Sequence, residues 1–305
     1  MTIEVQVIDT VFVLCAGMFF FWAVPTYALR HVGPGKIPPL PRGRVSIRGF
    51  GLIDMLGISL FLAFYAAMWL WSSRIPGEET GEIAEMEGLS FGLLIGLFLQ
   101  GLQIAMVVVI LFWRVNLVEG FGLRWQRTWW QIFLAPLVVL FMAGFMESLE
   151  RIPDLMGLPG YQEWVGQFVE GDGKQETVKL LGESKDPLVL GLLAVVACVG
   201  APLAEEVVFR GYIYAAVKRF TNIPFAVIFS GLLFGAVHGN LLALLPLAVL
   251  GIVLALAYEY TGSLWAPIAI HFCFNAATVV AQFIFNLNPE LLEELEKNAG
   301  LVSLW

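Results

Sequence analysis

Eight mostly apolar runs recur along the chain, near 7–29, 50–71, 89–113, 129–147, 187–209, 223–239, 241–260 and 264–286. A run of about 20 such residues can cross a bilayer as a helix. Composition closes the soluble alternative. Charged residues make up 14% of the chain and hydrophobic residues 59%, whereas a soluble domain carries about 25% charged residues. Mean hydropathy is +0.81. The expected fold is all-α, a polytopic transmembrane bundle of about eight spans.

Loop charges give an orientation. The stretch 30–48 holds Arg30, Lys36, Arg42, Arg44 and Arg48 and no acid, and its four prolines make it extended. The next loop, 72–88, holds Glu78, Glu79, Glu82, Glu85 and Glu87 against Arg74 alone. The third, 114–128, is basic again through Arg114, Arg124 and Arg127. Short loops rich in Lys and Arg stay cytoplasmic. The N-terminus, the acidic loop 148–186 and the C-terminus are therefore expected on the non-cytoplasmic side. The N-terminal residues carry no basic region and read as the lead-in to the first span.

The polar residues inside the apolar runs carry the chemistry. In 201–210, Glu205, Glu206 and Arg210 interrupt a long apolar stretch. Intramembrane charges are costly and face a bundle interior or a wet cavity. Glu206 and Arg210 are four apart and can pair along one helix face. Glu205 lies about 100° round the helix from Glu206 and is left for other work. His238 and His271 each lie in an expected span, and His271 shares a face with Asn275. Counted from the cytoplasmic ends of their spans, Glu205 and His238 lie roughly 21 Å deep, and His271 and Asn275 roughly 14 and 20 Å. The catalytic cavity is thus expected among the C-terminal four spans, with the four residues in one layer.

A carboxylate beside histidines suits two chemistries. It can activate water while other donors stabilise an oxyanion. Or Glu205, Glu206, His238 and His271 could ligate a metal. The third histidine, His31, is placed in the basic loop as a solvated side chain. Cys15, Cys198 and Cys273 sit in apolar segments without metal-type spacing and are read as packing.

These residues resemble a family. Glu205-Glu206-x-x-x-Arg210, Phe234-x-x-x-His238 and His271-x-x-x-Asn275, in this order, resemble the three motifs of the CPBP family, the CAAX-protease and bacteriocin-processing intramembrane proteases. Thr261 to Pro267 is similar to family sequence as well. The resemblance covers about 187–286. It implies an all-helical glutamate protease with Glu205 as general base and His238 holding the water. It also implies His271 and Asn275 as the oxyanion site, with Glu206 and Arg210 in support. No cofactor is expected on this reading, though a divalent metal at Glu205, His238 and His271 stays open.

Four segments are expected. Residues 1–147 hold four spans, 148–186 a non-cytoplasmic loop, 187–286 the protease-like core, and 287–305 an acidic tail. In the loop, Tyr161, Trp164, Val165 and Phe168 share a helical face, which points to a short interfacial helix. Gly92/Gly96 and Gly231/Gly235 are read as close-packing pairs. The expected partners are membrane lipid and a membrane-associated peptide or protein substrate. A net charge of −8 argues against nucleic acid. The expected location is a bacterial inner membrane or an equivalent endomembrane. A catalytically idle scaffold or immunity protein is the alternative. A transporter is disfavoured because no inverted repeat is visible.

Overall fold

The computed structural model describes residues 2–32, 43–72, 82–124, 133–169, 180, 181, 184, 186–288 and 290. The expected tail from 291 onward lies outside the described residues, as do parts of the expected loops and the side chain of His31.

Among the described residues the regular structure is helical throughout. Helix α1 runs through Ile3–Met18, a π-helical Phe19–Ala23 and Val24–Val32. Helices α2 (Leu52–Ser72), α3 (Glu82–Leu111) and α4 (Leu134–Leu155) follow. Helix α5 is one continuous rod, Pro187–Phe220. Helices α6 (Ile223–Ala236), α7 (Leu241–Thr261) and α8 (Trp265–Leu287) complete the set. Each of the eight expected runs overlaps one of these helices, but α4 runs on to Leu155, into the stretch expected as a loop from 148. Six of them are long and apolar enough to cross a membrane; α4 and the 14-residue α6 fall outside that group. The protein is an all-α polytopic bundle and a multi-pass integral membrane protein. Large apolar side chains such as Phe21, Phe98 and Leu140 point outward, as a lipid-facing surface allows.

Local signals explain the helix boundaries. The side chains of Asp186, Asn222 and Asn240 accept from backbone N–H groups at the starts of α5, α6 and α7. Gly262, at φ 71°, ends α7 in the left-handed conformation that glycine adopts without strain. Between α6 and α7 a turn of four residues reverses the chain. These two helices approach closely because Gly231 and Gly235 carry no side chain. A Cβ at Gly235 would stand 2.5 Å from the carbonyl oxygen of Leu244, and one at Gly231 2.8 Å from that of Ala248. The other expected pair behaves differently. A Cβ at Gly92 or Gly96 would meet nothing within 4 Å, so that spacing marks no close helix contact here.

Helix α5 is the centre of the molecule. From Val208 to Lys218 every residue is buried. Two π-helical segments, Val196–Gly200 and Glu206–Tyr214, flank the α-helical piece Ala201–Glu205. Pro202 lacks an N–H, and the wider turn before it absorbs that loss without breaking the rod. Glu205 and Glu206 therefore sit where the helix changes pitch.

One end of the bundle is tied by two polar clamps. Lys218 Nζ bonds Glu259 Oε2 at 2.7 Å and the Val45 carbonyl at 3.0 Å, and Tyr214 donates to the same carboxylate oxygen. Arg114 forms a bidentate pair with buried Asp54 at 2.8 Å. At the opposite end the short helix Tyr161–Gly166 packs on α4 and α7. Its Tyr161 hydroxyl donates to the Leu241 carbonyl at 3.2 Å, and Val165 is buried while Trp164 stays exposed. The helical face read from the sequence thus divides, with only Trp164 directed away from the protein.

Candidate active site

Two helices and one turn assemble the polar cluster. Glu205 and Glu206 come from α5, His271 from α8, and His238 from the turn after α6. The last placement differs from the expected one. His238 was placed within a span reaching 239, but α6 ends at Ala236. Its backbone N–H bonds the Gly235 carbonyl as the helix tightens into the turn.

The ring nitrogens of both histidines have separate partners. His238 Nδ1 stands 2.7 Å from the Phe234 carbonyl oxygen. A carbonyl only accepts, so this nitrogen carries the proton and Nε2 is left as the outward-facing atom. His271 Nδ1 stands 2.9 Å from Glu206 Oε1. An ionised carboxylate likewise accepts, which again leaves Nε2 facing outward. The two Nε2 atoms converge on one target. Each lies 3.9 Å from Glu205 Oε2. That oxygen is buried and has no hydrogen-bond partner among the described residues. Yet Glu205 and His238 keep 21% and 22% of their side-chain surface open, whereas His271 keeps 4%. The cluster is therefore partly open at Glu205 and His238 and closed at His271.

Below this point lies a second, fully buried tier. Glu206 Oε1 also pairs with Arg210 Nη1 at 2.9 Å, as the four-residue spacing predicts, and neither side chain is exposed. Arg210 Nη2 donates to the Gly251 carbonyl at 3.0 Å. Its guanidinium lies 4.5 Å from the centre of the Phe234 ring, a cation–π contact in a dry setting. The Phe234 ring in turn stands edge-on to His238 at 4.9 Å and to His271 at 5.6 Å. One aromatic ring thus wedges both imidazoles. Sequence spacing exposed the Glu206–Arg210 pair but not the bond from Glu206 to His271, which joins residues 65 positions apart.

Asn275 shares the face of α8 with His271 but has a partner of its own. Its Nδ2 donates to the Ala197 carbonyl at 2.7 Å. Ala197 lies in the first π-helical segment of α5, eight residues before Glu205. The structure therefore brings Glu205, His238 and His271 together around one oxygen, and holds Asn275 against the helix that carries it. Among the described residues no group of three or more His, Cys, Asp or Glu is spaced to hold a metal ion.

The helices that carry the cluster match known proteins in sequence. Residues 187–277 match the family model described as type II CAAX prenyl endopeptidase Rce1-like. The matched segment runs from the start of α5 through most of α8 and contains all six residues of the cluster. The chain is 35% identical over 91 residues to YdiL of Bacillus subtilis (strain 168), a membrane peptidase by name only; this is 30% of the chain and 37% of that protein. It is 33% identical over 107 residues to MroQ of Staphylococcus aureus (strain USA300), named as a membrane-embedded CAAX protease; this is 33% of the chain and 42% of that protein. The chain thus covers less than half the length of either relative. No solved structure matches it.

Proposed function

We propose that the chain is an intramembrane endopeptidase that hydrolyses a peptide bond of a membrane-associated protein or peptide, with Glu205 as general base. One observation carries this reading: Glu205 Oε2, buried and without a donor among the described residues, faces two imidazole Nε2 atoms at 3.9 Å each. Two of these atoms, Glu205 Oε2 and His238 Nε2, are acceptors that suit a water molecule, which has two hydrogens to give. The match to the CAAX endopeptidase model over the same helices supports it.

In this mechanism water donates one hydrogen to Glu205 and the other to His238 Nε2, which aims its lone pair at the substrate carbonyl. Glu205 takes the first proton as the oxygen attacks and passes it to the leaving nitrogen. The oxyanion forms against His271 and Asn275. His271 Nε2 donates only from the doubly protonated ring, and its charge is then faced by Glu205 and Glu206. Asn275 serves through the amide hydrogen that Ala197 does not hold. Glu206 orients His271 as the third group of a triad orients its base. No step needs a metal. The substrate is a CAAX-like or bacteriocin-like segment, prenylated or not, and both termini face the non-cytoplasmic side.

The test is proteolysis of a peptide library by the full chain in liposomes, read by mass spectrometry. Wild type should give internal cleavages that Glu205→Gln does not. An inactive wild type, or equal products from both, would reject the proposal.

A further inference from the structure

The family match begins at residue 187, so it assigns nothing to α2 or α3. Yet α2 carries Phe61, Tyr65 and Trp69 at four-residue spacing, on one helix face. That face lies along the site. Phe61 stands 5.7 Å from the Tyr212 ring, and Tyr65 5.7 Å from the Phe209 ring. Trp69 packs on Gly239, where a Cβ would come within 2.6 Å of its ring. Gly239 follows His238 directly, so α2 supports the turn that presents this histidine.

Tyr65 reaches the helix that carries Glu205. Phe209, which it covers, is one turn along α5 from Glu205. The Tyr65 hydroxyl donates to Gln103 Oε1 on α3 at 3.1 Å. Both residues are 9% exposed. A carboxamide and a phenol buried in a membrane bundle are costly groups whose usual justification is a function. With Oε1 occupied by Tyr65, the carboxamide's other capacity is as a donor, through the two hydrogens on Nε2. A peptide reaching bilayer depth in extended form brings carbonyls that no water or helix satisfies.

We propose that Tyr65 and Gln103 form a substrate-backbone subsite on α2 and α3, beside the Phe209 turn of α5. Tyr65 is a positioning residue that holds the carboxamide by Oε1. Gln103 Nε2 donates to a backbone carbonyl of the bound peptide. This rests on the peptidase reading and gives the N-terminal helices a part in it.

The experiment uses the full chain in liposomes and a quenched-fluorescent peptide of the sequence that wild type cleaves fastest in the library. One lost hydrogen bond to the substrate corresponds to about a tenfold loss of affinity. Gln103→Leu should raise KM about tenfold with kcat held within about twofold, the pattern of lost uniform binding. Tyr65→Phe keeps the ring on Phe209 and should raise KM in the same direction. The double variant should be no worse than Gln103→Leu, because the two act as one unit. The same peptide, binding uncleaved to Glu205→Gln protein, should lose affinity by the same factor when Gln103→Leu is added. Thermal unfolding in detergent should be unchanged or improved in both single variants. A lowered melting temperature with unchanged KM would make the pair structural and overturn the subsite. A fall in kcat alone would assign Tyr65 to Glu205 instead and also overturn it. A wild type that cleaves nothing rejects the peptidase reading itself, a failure seen before any α2 or α3 variant is compared.

Discussion

Replacing Glu206 by Gln tests both tiers of the site at once. Its Oε1 accepts from Arg210 and faces His271 Nδ1, at 2.9 Å in each case, and neither Glu206 nor Arg210 is exposed. Glu206→Gln keeps the volume but leaves the guanidinium buried without its counter-charge. Removing one partner of a buried ion pair costs about 3–5 kcal/mol. We take the low end, about 3 kcal/mol, because Arg210 keeps its bond to the Gly251 carbonyl and its place on the Phe234 ring. Activity should fall as well, since a neutral amide beside Nδ1 no longer fixes the ring or its charge. The double variant Glu206→Gln/Arg210→Met separates the two effects. Replacing both charges of a buried pair is often neutral for stability. Stability should therefore return in the double variant while activity stays low. The assay is unfolding of purified protein in mixed micelles, run beside peptide cleavage. An unchanged unfolding midpoint for Glu206→Gln would refute the buried-pair argument. Full activity in the double variant would refute the orienting role.

Three further outcomes follow from the same contacts. Asn275→Ala should lower kcat about 100- to 1000-fold as an oxyanion donor is lost, and should also destabilise the protein by about 1–3 kcal/mol because the Ala197 carbonyl loses its buried partner. A change in KM alone would remove the oxyanion role. Chelation by EDTA followed by dialysis should leave cleavage unchanged, and loss that a stoichiometric divalent ion restores would revive a metal mechanism. Gly235→Leu should destabilise strongly, since the Leu244 carbonyl stands where the side chain would start, whereas Gly96→Leu, facing open space, should be nearly silent in the same melt.

Much of the fold could be read from hydrophobic run length, because a bilayer leaves the backbone few choices. Each expected run overlaps a helix, and six of these helices are long and apolar enough to cross a membrane. Boundaries were harder where a polar residue lies near a turn. His238 looked like a helix residue because the apolar run continues to 239, but the chain reverses after Ala236. The two π-helical segments of α5 were not visible either; Gly200 and Pro202 marked only the place where the pitch changes. At the site, spacing along one helix found Glu206–Arg210 and the shared face of His271 and Asn275. It could not find contacts between helices. The bonds from Glu206 to His271 and from Asn275 to Ala197 depend on how α5 and α8 are rotated against each other. Tyr65 and Gln103 were missed for the same reason. The only trace they left was an aromatic residue every fourth position along α2.

The central claim is that Glu205 activates water directly. Single-turnover cleavage of the peptide in water enriched in oxygen-18 tests it. The account predicts one labelled oxygen in the new C-terminal carboxylate, none in Glu205 of the recovered enzyme, and no product from Glu205→Gln. Label incorporated into the Glu205 side chain, or product from Glu205→Gln at the wild-type rate, would contradict it.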